Sequence, residues 1–226
     1  MIRVHVICEG QTEEMFVKEI LLKFFAQQGI CLYPSLVGKP GHKGGNFKYE
    51  RVLKDIRKRL LEDKTSYCTT FFDFYGLPEE FPGKQEALEL ADPEDKSKTV
   101  IKHFLKSLEN DLGEEALRRF IPYIQLYEFE ALLFSCPTSM AAETDPGLEP
   151  AFKAIKQSFV SPEHINNSVH TAPSKRIYKL YRSYDKVIYG SLISMTMGLS
   201  QIQEECALFN KWLSEIQSLS SLCKAS

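Results

Sequence analysis

Residues 2–13 read Ile2-Arg3-Val4-His5-Val6-Ile7-Cys8-Glu9-Gly10-Gln11-Thr12-Glu13. The run to Cys8 is apolar and rich in β-branched residues, which predicts a buried strand. It breaks at Glu9-Gly10. From Gln11 to Gln28 the apolar residues Met15, Phe16, Ile20, Leu21, Phe24 and Phe25 fall at the spacing of one helix face. Thr12 is the expected N-cap and Gly29 the expected stop. A strand that passes through a sharp glycine turn into a helix is the opening unit of an α/β sheet.

The pattern repeats outward from there. Residues 30–37 read as a second strand, 38–46 as a glycine-rich loop, and 49–61 as an amphipathic helix. Residues 67–74 form a third strand rich in Thr, Phe and Tyr, and 76–84 a loop forced by Gly and Pro. Helical stretches at 95–110 and 114–119 lead to a fourth strand at 120–126 and a helix at 128–134. Strands alternating with helices predict right-handed crossovers feeding a mostly parallel central sheet flanked by helices, of Rossmann-like type. Residues 1–136 are expected to form this α/β core and 137–226 a helical C-terminal extension packed on it, the two making one structural domain.

Composition narrows the class. With 43% hydrophobic and 26% charged residues in a chain of 226, a folded core is expected rather than disorder. No apolar run approaches the roughly 20 residues that span a bilayer. The strand at 2–8 meets Glu9 too soon for the apolar region of a signal peptide, so the expected location is the cytoplasm, with no membrane partner. The six cysteines contain no CxxC pair, which argues against a zinc knuckle or a dithiol redox motif. Cys8 and Cys68 sit in strand-like runs and read as small buried hydrophobes. Net charge is −2, so no global basic field advertises a polyanion, although basic residues cluster at 51–59 and 175–182.

In parallel sheets functional groups gather beyond the carboxyl ends of the strands. Three groups of carboxylates occupy such positions here. Glu9 follows the first strand, Gly10 allows the turn, and Glu13 lies in the first helical turn, where it either shares a cation with Glu9 or complements the helix dipole. Asp73 closes an aromatic strand end, Phe71-Phe72-Asp73-Phe74-Tyr75, where an acid is costly unless paired or metal-bound. Glu128 and Glu130 follow the fourth strand. Two positions apart on a helix, they are expected to point to different sides, so that one faces the cluster; the spacing does not choose which.

Carboxylates without a histidine or cysteine set favour a hard cation, Mg²⁺ or Mn²⁺, held with waters and substrate phosphate. Pro173 opens a helix whose Ser174, Lys175 and Arg176 either bind phosphate or form an ordinary surface. Lys186 either reaches the acids as a transition-state cation or pairs with Asp185 or another acid. The five histidines have no ligand spacing; His5 reads as structural, and His42 lies in the glycine-rich loop. No P-loop or G-x-G-x-x-G sequence supports nucleotide binding.

These blocks resemble the Toprim fold of topoisomerases, primases and the nucleases associated with overcoming-lysogenization-defect ATPases. Cys8-Glu9-Gly10-Gln11-Thr12-Glu13 matches the first Toprim block, with the Glu-x-x-x-Glu spacing of the nuclease branch. Asp73-Phe74-Tyr75 matches the Asp-x-Asp block at its first position only, and Tyr75 stands where the second acid belongs. Nearly the whole chain is similar to the Toprim-like bacterial family of unknown function catalogued as number 4276. That match rests on 9–13, 72–78, 120–134, Thr171-Ala172-Pro173-Ser174-Lys175-Arg176 and Tyr184-Asp185-Lys186.

The resemblance implies a nuclease-like core. Glu9, Glu13, Asp73 and Lys186 would then carry phosphodiester cleavage on nucleic acid. Glu9, Glu13, Asp73, Glu128 and Glu130 would be the candidate metal ligands, and an ATPase the partner. The rival expectation is a non-catalytic Toprim-like binding or sensor subunit of a multi-protein, defence-type system, motivated by Tyr75.

Overall fold

Strand β1 (Ile2–Cys8) buries Val4, Val6, Ile7 and Cys8 completely, as its β-branched run requires. It pairs in parallel with β2 (Ile30–Leu36) on one side and β3 (Tyr67–Asp73) on the other. β4 (Phe120–Ile121) extends the sheet in parallel beside β3, and β5 (Ile124–Gln125) also pairs with β3. The path is β2-β1-β3-β4, a mostly parallel sheet flanked by helices, as the sequence predicts. The structure, a computed structural model, describes residues 1–38, 47–166 and 168–222.

The helical stretch 11–26 supplies the crossover from β1 to β2. It contains one π turn, Val17–Leu21, between Gln11–Phe16 and Leu22–Ala26. Its cap is Gly10, not the expected Thr12, which lies buried inside the first turn. Glu13 folds its carboxylate back and accepts the Gly10 N–H at 2.9 Å, half of a capping box, so a side-chain cap at residue 12 is not needed. Gly29 ends the stretch at φ 75°, the left-handed stop expected of glycine. Helix Tyr49–Glu62 leads to β3. The expected glycine-rich loop, with His42, lies outside the described residues beyond Gly38.

Two departures have a local cause. The single strand expected at 120–126 is two short strands, because Pro122 has no N–H for the ladder. The Thr70 side chain takes over there: Oγ1 accepts the Tyr123 N–H at 3.0 Å and donates to the Tyr123 carbonyl at 2.9 Å. The expected loop at 76–84 leads into an unforeseen helix, Lys84–Glu89. Two buried lysines staple it: Lys84 donates to the Leu77 carbonyl, and Lys96 to that of Ala87 at 2.9 Å. Lys96 satisfies carbonyls that the short helix leaves open, whereas Lys84 ties its first turn to the preceding loop.

The chain divides into two compact units. The first holds the chain to Phe72, Gly76–Ile124 and the stretch from Trp212. At its centre the Trp212 indole stacks on Tyr123, 4.4 Å between ring centroids and 7° from parallel, and lies 5.1 Å from Phe71. Its Nε1 donates to Thr69 Oγ1 at 2.8 Å. The second unit holds Asp73–Tyr75 and Gln125–Lys211 and is mainly helical, with Phe134 packed edge-on against Phe152. There the buried Glu163 carboxylate accepts the N–H groups of Leu208 and Phe209 at 3.0 and 2.9 Å, capping helix Ala207–Leu222 from a distant segment. Among the described residues no helix is long and apolar enough to cross a membrane.

Candidate active site

In the first unit Glu9 directly follows β1, and its N–H donates to the Phe71 carbonyl of β3 at 3.1 Å. Its carboxylate lies against the bare Cα of Gly76: a Cβ there would overlap both carboxylate oxygens. Gly76 is needed for this close approach rather than for a turn. Gly76→Ala is therefore expected to displace the Glu9 carboxylate at a cost below about 1 kcal/mol, because the end of that flexible side chain can swing away. Adding Glu9→Ala should recover most of that loss, because the two groups compete for one volume. Urea midpoints of the two single variants and the double variant check this; additive losses would refute it.

Glu13 is buried, and the Gly10 N–H occupies one of its carboxylate oxygens. Lys84, buried nearby, has its pKa lowered by burial, against the charges of Glu79, Glu80 and Glu9. Sequence reading passed over Lys84, since a lone lysine after Phe81-Pro82-Gly83 carries no signal.

The second unit gathers more charge. Asp73, the last residue of β3, is 9% exposed and Glu130 only 1%. Lys186 Nζ lies 3.2 Å from Glu130 Oε2 and 3.5 Å from Glu128 Oε1. The other Glu128 oxygen accepts the Ser174 N–H at 2.9 Å, at the start of helix Pro173–Leu180. Both glutamates thus reach one lysine, against the expectation that only one would face the cluster. The helix begins at Glu130, so Glu128 precedes it and the helical spacing does not apply. Tyr127 makes the turn at φ 66°, a left-handed conformation that is costly for a bulky residue, and its carbonyl accepts the Tyr75 N–H at 3.1 Å. Asp185 does not pair with Lys186; it caps their shared helix by accepting the Ile188 N–H at 2.9 Å.

Burial works against the Lys186 ammonium, but the charges of Glu130, Glu128 and Asp73 outweigh it and hold its pKa above the ordinary lysine value. Burial pushes Glu130 up to about 7, despite the opposing pull of Lys186. Glu130 Oε1 finds no hydrogen-bond partner among the described residues. The Tyr184 hydroxyl is also buried; burial first, then the Glu130 charge, push its pKa well up.

A carboxyl whose pKa is raised on folding stabilises while protonated and loses that contribution as it ionises. The Glu130 contribution should therefore be complete below its ordinary value of 4.5 and be lost as pH rises through about 7. Glu130→Gln should flatten stability over that window. Urea midpoints of both proteins from pH 4 to 8 test this, and parallel curves would contradict it.

Tyr75, in the place of a second acid, accepts a hydrogen bond from Asn166, and burial raises its phenol to about 12. It is neutral at physiological pH and supplies no anionic ligand. Ser174 is buried with its N–H given to Glu128, and Arg176 donates to the Thr171 carbonyl at 2.7 Å and covers Phe159. Of the three residues expected at phosphate, Lys175 is the exposed one. His5 lies in β1 as expected, its ring 5.5 Å from Tyr33 and its pKa lowered, first by burial and then by Arg59.

Among the described residues no three histidine, cysteine, aspartate or glutamate side chains come close enough together to hold a metal ion. A cage of protein ligands is thus not present there. Carboxylates are the donor type that Mg²⁺ takes, usually one or two at a time with waters and substrate phosphate completing its shell.

A family model described as "Domain of unknown function (DUF4276)" matches residues 8–217. The chain belongs to that family. The match to this DUF4276 chain spans both carboxylate groups and Lys186. A search of curated proteins finds no match. Among solved structures, the C-terminal region of the Burkholderia pseudomallei OLD protein is similar, with a TM-score of 0.51 and 14% identity over 97% of this chain and 99% of that one. At that identity the likeness shows a shared fold.

Proposed function

We propose that the chain is a metal-dependent phosphodiester-cleaving enzyme of nuclease type, acting on nucleic acid with Mg²⁺ or Mn²⁺ and working with an ATPase partner. One observation carries the reading: buried Glu130 holds the Lys186 ammonium together with Glu128, while Asp73 adds its charge to the same lysine. Acids as buried as Glu130 and Asp73 cost stability and concentrate where chemistry needs them. In this reading Glu9 in the first unit and Asp73 in the second are each candidate ligands for a cation, and Glu13 supports the turn that carries Glu9. Glu128 and Glu130 are assigned to Lys186 rather than to metal, since they fix its position. Lys186 then steadies negative charge on the reacting phosphate. When bound, the divalent ion supplies charge neutralisation and an activated water.

The test is cleavage of single-stranded and duplex DNA and RNA by the purified chain, with Mn²⁺ or with EDTA. Metal-dependent nicking or degradation supports the reading. Failure both alone and with the cognate ATPase favours the rival, a non-catalytic sensor subunit, to which the neutral Tyr75 is better suited.

A further inference from the structure

Helix Pro173–Leu180 presents an outer face of uniform charge in the second unit. Lys175, Tyr178 and Lys179 are exposed on it at the spacing of neighbours on one helix face, and exposed Arg182 joins them from the following turn. The Arg182 guanidinium lies 5.1 Å from the Tyr178 ring centroid, and Tyr178 remains 46% exposed. Among the described residues none of the three cations forms an ion pair with a carboxylate, unlike Lys153, Lys156 and Lys186 in the same unit. Helix electrostatics account for Lys179, near the negative end of the dipole, but oppose Lys175 in the first turn. A chain of net charge −2 has acids enough to balance such a face, yet places none there.

We infer that Lys175, Tyr178, Lys179 and Arg182 form a docking surface for single-stranded nucleic acid. The inference rests on the nuclease reading and names the form of its substrate. Cations at this spacing meet backbone phosphates, and an exposed ring steadied by a guanidinium is a platform for an unpaired base. A duplex offers phosphates to the cations but keeps its bases stacked away from Tyr178. An acidic protein segment would use the cations and leave the ring idle.

Fluorescence anisotropy of a labelled oligothymidylate, measured in EDTA, tests the surface apart from cleavage. Tyr178→Ala is expected to weaken binding about tenfold, within the range for loss of one base stack. Tyr178→Phe should bind as wild type. The double change Lys175→Gln, Lys179→Gln should weaken binding and lower the salt slope by about 1.4, at roughly 0.7 per phosphate contact on a single strand. Duplex binding should be insensitive to Tyr178→Ala. Wild-type affinity in both the alanine and the double-glutamine variants would overturn the inference, as would equal loss for single strand and duplex. So would full competition by a poly-glutamate peptide. Intact, Tyr178-dependent binding without cleavage in Mn²⁺ would instead count against the nuclease reading alone.

Discussion

Asp73→Asn is expected to lower metal-dependent cleavage by at least about a hundredfold while leaving nucleic-acid binding nearly unchanged. Asparagine keeps the size of the side chain, so the end of β3 and the ladder beyond it, where the Phe74 N–H meets the Gln125 carbonyl at 2.9 Å, should persist. What disappears is a negative charge at a buried position. Removing one preorganised charged group typically costs two to three orders of magnitude in rate. The change should also relax Lys186, whose raised pKa draws partly on the Asp73 charge. Binding follows the basic residues instead, since phosphate contacts supply most of the affinity. Parallel assays of cleavage in Mn²⁺ and anisotropy in EDTA decide the matter. Equal residual cleavage by both proteins would expose a contaminating nuclease, and equal loss of binding would mean that Asp73 holds the fold.

Trp212→Ala should carry the largest cost in stability, about 3–5 kcal/mol, the usual range for deleting a buried indole. Trp212 is 2% exposed, stacks on Tyr123, contacts Phe71 and donates to Thr69 Oγ1. Trp212→Phe keeps the stack and loses the hydrogen bond, a smaller loss of roughly 1 kcal/mol. Thr69 retains its bond to the Ile121 carbonyl at 2.5 Å, so the hydroxyl is not orphaned in that variant. Denaturant midpoints of the three proteins rank the effects; a phenylalanine variant as unstable as alanine would show that the indole N–H, not the ring, is the anchor.

The sheet was legible because its signals are local. β1 ends at Cys8 as its apolar run does, and Gly29 stops the first helical stretch at the predicted place. Strand four misled because periodicity ignores a missing donor, and Pro122 removes one. The candidate site was legible as a set of residue types but not as an arrangement. No spacing rule reports that Tyr127 adopts φ 66° and frees Glu128 from the helix, or that Lys186 lies between two glutamates more than fifty residues away. Gly76 likewise reads as a loop former, whereas its use is to leave room for the Glu9 carboxylate. Such facts depend on long-range packing, which sequence periodicity does not encode.

Helix Ala207–Leu222 belongs to the second unit up to Lys211 and to the first from Trp212 onward. The order of synthesis gives this crossing a cost. A ribosome delivers β1 through β5 first, yet the Phe71 and Tyr123 rings must wait nearly ninety residues beyond Tyr123 for the indole that covers them. During that interval the nascent sheet carries an open aromatic face, the kind of surface that engages chaperones and proteases. Chains stalled before Trp212 should therefore be cleared rather than accumulate, so that a half-made sheet does not persist in the cell.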